Sequence, residues 1–535
     1  MRRTSTLLLS LLVTAASIVG VQASGVVAPF AWPIIEDGTA TGLSVVESIG
    51  GIEAFSHLFI WQGGAEVPCD GLADSYCGMF PKSTLGMVRI LPPCASTDAS
   101  DECVASLAVT SNGVTKESTF IRAISAPSWS ADSTTGLISG ATDSLWSNPF
   151  STDPNSGFQV HPFAYYLNQT PDPLKSEWQM KNFSTEVNPY LSVKGAYEPI
   201  KIQKKSTLSS WSGDFKGDWA YQSPPRECLW IDTNECGVRT DFGNISSVTL
   251  NMHLAKNQSG WLSGRLVNPD VSVSSFNAKE NLFSVTASPA ETAYVQAWTR
   301  SPTSSMNAFA GKYAGGLFVS WRIDVVSEFL KTYKDFLHDT VTKIIPTWSI
   351  SDGFGTPTNP CLKSTDSFIG VVSTNATTYQ ADPPDFTDGS LNYAVGSLHY
   401  KPDGTLNKGT YDLLLNSAAA RCLYNFTNAP IKAAIEVTTA DGSEDVATTT
   451  TNEKNGWLHL NASGFTFSNP TIKVTLSQEA LPEATPSPTP ITSVVTIPSV
   501  AKPAAKKSTI ICVKGLTLKK ITSLKPTCPK GYRKR

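Results

Sequence analysis

The side chains through which this sequence could do chemistry are ten cysteines, six histidines and a few acidic clusters. The cysteines fall into close pairs, Cys69/Cys77, Cys94/Cys103, Cys228/Cys236 and Cys512/Cys528, with Cys361 and Cys422 farther apart. An even number agrees with disulfides formed in an oxidising space, although spacing alone leaves their connectivity open. Separations of eight and nine residues are too loose for the Cys-x-x-Cys pairs of zinc sites, so a structural role is expected for all ten. The histidines, His57, His161, His253, His338, His399 and His459, form no local metal pair. His253 lies between Met252 and Leu254, and His459 between Leu458 and Leu460, so strand alternation puts both on an outward, solvated face. The chain has no P-loop, dinucleotide fingerprint, His-Glu-x-x-His or Gly-x-Ser-x-Gly, and paired cysteines leave no obvious nucleophile. Two carboxylates for glycoside hydrolysis need only be close in space, and nothing in the sequence nominates such a pair. The densest acidic run, Asp382, Asp385 and Asp388, misses the alternating spacing of a calcium loop and reads as a solvated turn. No catalytic residue, cofactor or metal ligand is assigned, and an enzyme is the less favoured reading.

The elements that would position such residues are mainly β. Hydrophobic residues make up 41% and charged ones only 16%, which suits packed sheets joined by turns rather than charged helices. Apolar side chains alternate through Cys103, Ala105, Leu107 and Val109; Val248, Leu250, Met252 and Leu254; Ala433, Ile435 and Val437; and Ile472, Val474 and Leu476. Turn chemistry separates the runs at Asn112-Gly113, Asp403-Gly404 and Asp441-Gly442. Period-two alternation buries one face and wets the other, which predicts several antiparallel β-sandwich-like modules. Gly260-Trp261-Leu262 and Gly456-Trp457-Leu458 suggest an internal duplication, each Trp capping a core at a strand start. One amphipathic helix is expected from Asp324 to about Val341. Val326, Leu330, Tyr333, Phe336 and Leu337 form its apolar stripe, to be docked on a neighbouring sheet. Boundaries then fall near 195, 300, 355 and 479: a β-rich domain at 24–194, a sandwich at 195–300, a helical segment at 301–354 and a second sandwich at 355–478.

The two ends carry the address. Residues 1–23 read as a signal peptide, with Arg2 and Arg3 ahead of an apolar run and Val21-Gln22-Ala23 at the cleavage site. No later stretch is apolar for about 18 residues, so no membrane span is expected after removal of the leader. Of 42 Lys and Arg residues, 11 lie in 501–535 and two in the leader, so 24–500 holds 29 against all 45 acidic residues, a net of −16. Such a body argues against nucleic acid as its ligand. A Pro-, Thr- and Ser-rich linker at 479–508 precedes a small basic hairpin at 509–535, with strands expected at Leu516–Leu518 and Ile521–Leu524.

Cys512-Val513-Lys514-Gly515 through Cys528-Pro529-Lys530-Gly531-Tyr532 resembles the basic C-terminal segment of uncharacterised exported actinobacterial proteins. The resemblance covers the tail alone and implies a cell-envelope address. Lys514, Lys519, Lys520, Lys525 and Lys530 are the candidate contacts with an anionic envelope polymer or surface. The expected function is that of a secreted structural or ligand-binding protein retained at the cell surface. The alternative is a secreted carbohydrate-active enzyme or sugar-binding protein, supported by 13 Trp and 15 Tyr on a sandwich.

Overall fold

The computed structural model describes residues 41–478 and 508–534, apart from internal stretches of which 47–55, 73–83 and 169–176 are the largest. The leader and the linker, up to residue 507, lie outside the described residues. The chain divides into two compact units, Met1–Glu479 and Ala480–Arg535.

The larger unit is mainly β, and its architecture follows from strands long enough to serve two sheets. Ser156–Asn168 and Trp178–Lys194 form the longest antiparallel ladder. Thr84–Ile90 and His57–Gln62 extend it on one side, and Ser349–Asp352 on the other. Ser349–Asp352 leads to Trp261–Ser275, whose far half pairs with Glu280–Tyr294, then Ile245–Ala255, then Cys103–Ser111. The inward faces of the two layers meet in one core, where Leu107, Val109, Val248, Leu250, Met252 and Leu254 pack against Phe158, Val160, Phe183 and Val187. The alternation read along Val248–Leu254 is therefore that of a sandwich strand.

A second core lies between Gly370–Thr374, Lys408–Asn416 and Trp457–Thr466 on one side and Ser390–Gly396, Ile431–Thr438 and Thr471–Gln478 on the other. Ile472, Val474 and Leu476 are buried there as alternation predicts. Most pairings are antiparallel, but Trp261–Gly264 runs parallel to Gly370–Ser373, and Ser44–Val46 parallel to Leu317–Val319. Ladders cross positions 195, 300 and 355: Trp178–Lys194 pairs with Glu235–Arg239 and Ser349–Asp352, and Trp261–Ser275 with Gly370–Thr374.

Turns form where the side chains demand it. Asn112 and Gly113 both take positive φ, 50° and 75°, the pattern of a two-residue hairpin between Cys103–Ser111 and Val114–Ser118. Both Gly-Trp-Leu motifs begin strands, with Gly260 at φ 85° and Gly456 at 80°. Beyond that start they differ: Trp261 is buried in the second core, whereas Trp457 is half-buried against the first.

The helix expected from Asp324 to Val341 runs only from Ile323 to Tyr333. His338 and Asp339 take left-handed φ of 51° and 54°, and the Asp339 N–H returns to the Lys334 carbonyl. Asp339 is held there by His399, whose backbone N–H donates to its carboxylate. Val325, Val326, Phe329, Leu330 and Tyr333 dock on Leu43, Val45 and Ala297, and Phe336, placed on the stripe by sequence, is exposed. Two further helices, Ser304–Lys312 and Ser417–Tyr424, escape the periodicity argument because they are short. Their signals are N-caps: Thr303 accepts from the Met306 N–H, and Asn416 from those of Ala418 and Ala419.

Candidate functional site

A pocket of about 210 Å³ opens where two turns of the first sandwich approach each other. One turn follows Ser144–Ser147 and is shaped by Asn148, whose side-chain oxygen accepts the Phe150 N–H. The other joins Glu235–Arg239 to Ile245–Ala255, where Asp241 accepts the Gly243 N–H at 3.0 Å and Gly243 takes φ 56°. Phe158 and Phe242 belong to its lining and to the core beneath. Asn148, Ser151, Ser156, Thr240, Asp241 and Asn244 supply amide, hydroxyl and carboxylate groups, a set suited to a neutral, hydroxylated ligand. Asp241 is the one carboxylate among the lining residues, so the pocket does not present the pair that glycoside hydrolysis uses.

Other ionisable groups are brought together in the interior, by register that spacing does not reveal. His161 stands opposite Glu186 in the long ladder. Its Nδ1 lies 2.7 Å from the fully buried Asp143. Asp143 also accepts from Gln159, and Asn188 joins Gln159 to Glu186. This buried chain of hydrogen bonds ties the Ser144–Ser147 edge to the ladder. On the adjoining strand Thr84–Ile90, Arg89 donates through Nε to the Ser139 carbonyl at 2.8 Å and pairs with Glu102 at 3.3 Å, while the Tyr166 hydroxyl donates to the same carboxylate. Burial pushes the Glu102 carboxyl above its ordinary range despite Arg89. In the second core burial likewise pushes Asp412 up to about 6, against the Asn461 amide 2.9 Å away.

The solvated positions expected for two histidines are corrected. His253 is only 3% exposed, because Phe276 stacks on its ring at 3.8 Å and the Cys94–Cys103 disulfide covers its edge. His459 is half-buried, and burial, partly offset by Asp270, pushes its imidazole below the ordinary range. Asp385 and Asp388 belong to a hairpin whose turn is Asp388-Gly389, both at positive φ, and Asp382, Asp385 and Asp388 are all exposed without converging.

Cys94–Cys103, Cys228–Cys236 and Cys361–Cys422 are disulfides. The side chain of Cys69, like Cys77, lies outside the described residues, as does that of Cys512; Cys528 is disulfide-bonded. In the smaller unit Ser508–Lys514 pairs on one side with Thr517–Ser523 and on the other with Arg533–Lys534. The segments expected as two strands, Leu516–Leu518 and Ile521–Leu524, thus fall mostly within one, and Ser508–Lys514 is its partner. Lys514 pairs with Thr517, Lys519 with Cys512 and Lys520 with Ile511 in the backbone register, and Lys525 and Lys530 are exposed. No helix among the described residues is long and apolar enough to cross a membrane. No family model, curated protein or solved structure matches the chain.

Proposed function

We propose that this is an exported protein held at the cell envelope by its basic tail, with the acidic body as a structural or ligand-binding module. The observation that carries this reading is the charge split: 11 basic and no acidic residues in 501–535 against a net of −16 in 24–500, with the Pro-rich segment between them. Lys514, Lys519, Lys520, Lys525 and Lys530 neutralise anionic polymer or surface groups, and the acidic body is repelled from the same surface. Attachment of this kind weakens as salt screens it. The test is retention of the full chain on isolated envelopes across a salt series, beside a variant with the five lysines changed to glutamine. Retention that falls with salt, and drops at least about tenfold in the variant, supports the tail as adhesive. Equal retention of both proteins sinks it.

The pocket between Asn148 and Asn244 favours a second reading, in which the body binds carbohydrate. Its amides, hydroxyls and single carboxylate match sugar hydroxyls better than they match glycosidic cleavage. An Asp241→Ala variant that binds soluble envelope oligosaccharides as well as the parent does would remove that reading.

A further inference from the structure

We propose that Cys94, Cys103 and His253 form a soft-metal site, for Zn(II), that the disulfide between the two cysteines keeps closed. Strand register brings the three together. Cys103 opens the strand Cys103–Ser111 and stands directly opposite His253 in its neighbour Ile245–Ala255. Cys94 is drawn alongside by the parallel bridge of Pro93 to Val104 and by its N–H donating to the Val104 carbonyl at 2.9 Å. His253 Nδ1 lies 3.7 Å from the Cys103 sulfur and 3.9 Å from that of Cys94. All three donor atoms fall within 4.8 Å of one another, the only such group of three or more His, Cys, Asp or Glu found among the described residues. Stacking on Phe276 fixes the plane of the imidazole.

Two thiolates and an imidazole are a donor set that selects zinc among common divalent ions. With the sulfurs joined, the thiolates do not exist. A dithiol opens the site by exchange: its thiolate attacks the sulfur of the partly exposed Cys94, and the S–S bond breaks. The electron pair leaves on the buried Cys103 sulfur, 3.7 Å from His253 Nδ1, which takes up the proton given up by the attacking thiol. The second thiol of the reagent then displaces Cys94, so the reagent ends as a cyclic disulfide and the protein as two thiols. Zinc binding releases their two protons.

The test uses the full chain, reduced stepwise with limiting phosphine, which is oxidised to its oxide with water as oxygen donor, and then freed of reagent under anaerobic conditions. Alkylation mapping identifies the species in which Cys94 and Cys103 are opened. Native mass spectrometry should find one zinc on that partly reduced species and none on the oxidised protein. Cobalt(II) in place of zinc should give the charge-transfer and visible bands of thiolate ligation. His253→Phe, which keeps the aromatic stack and both thiols, should weaken cobalt binding at least about tenfold. Cys94→Ser with Cys103→Ser should abolish it. The proposal is overturned if the species with Cys94 and Cys103 opened takes up no metal, or if either variant binds cobalt as the parent does.

Discussion

Two disulfides of the first sandwich close loops of nearly equal length, nine residues for Cys94–Cys103 and eight for Cys228–Cys236, and their surroundings are opposite in kind. Cys228–Cys236 staples a hairpin within itself, since Cys228–Asp232 pairs with Glu235–Arg239. Its side chains pack with Ile231 and Val238 in an apolar cluster. Trp230 lies in the same hairpin over Gly237, where an added Cβ would fall 2.0 Å from the indole nitrogen. The carboxylates of Asp232 and Glu235 pair with Arg122, which is 34% exposed. At Cys94–Cys103 the ionic groups turn inward, with Arg89 and Glu102 in the interior and His253 against the sulfurs. A local loop can be stabilised by local packing. A loop at the meeting of distant strands inherits whatever the facing strand carries, and here that is an imidazole 150 residues away.

The largest effect that would sharpen this comparison is expected from Trp230→Ala. The ring is buried, edge-on to Tyr190 at 5.2 Å, so its loss should cost about 3–5 kcal/mol in denaturant unfolding. His253→Ala should cost clearly less, and equal costs would mean that the two loops are held in the same way. Next come the two arginines. Arg89 is 3% exposed, and Arg89→Met strands Glu102 and the Ser139 carbonyl, at about 3 kcal/mol with little salt dependence. Arg122 is 34% exposed, and Arg122→Met should cost about 1 kcal/mol or less, shrinking further in salt. A reversed order would break the inward–outward contrast.

The smallest effect concerns pH. At Asp232 burial works upward but is outweighed by the Thr233 N–H, Ser125 and Arg122; at Glu235 burial is outweighed by Lys194, Ser192 and Arg122. Both carboxyls are therefore held below their ordinary 3.8 and 4.5. The unfolded chain takes up these protons first on acidification. The stabilisation is present above the ordinary values and is lost as pH falls through the lowered ones. Amide protection factors in Cys228–Arg239 should fall over that window while those of Leu107–Ser111 hold.

Much of the scaffold was legible because it is local. Alternation at Val248–Leu254 and Ile472–Leu476 marked sandwich strands, and Asn112-Gly113 marked a hairpin. Helix 323–333 was legible in its apolar stripe but not in its end, since His399, sixty residues on, holds Asp339 in the turn. The pocket was not legible: Asn148 and Asp241 are ordinary turn residues until two turns are brought side by side. His253 read as solvated because alternation says which face a side chain takes, not what covers that face.

By itself the sequence determined the β-rich class, the pairing tendency of its close cysteines and the charge split between body and tail, all properties of composition or short spacing. Only the tertiary structure decided which strands serve two sheets, that Arg89 and Glu102 meet in the interior, and that an imidazole rests on one disulfide and not on its equal-sized neighbour. The physical reason is register. Each of these contacts depends on which residues stand opposite one another across ladders between distant segments, and that is chosen by the burial of both faces together.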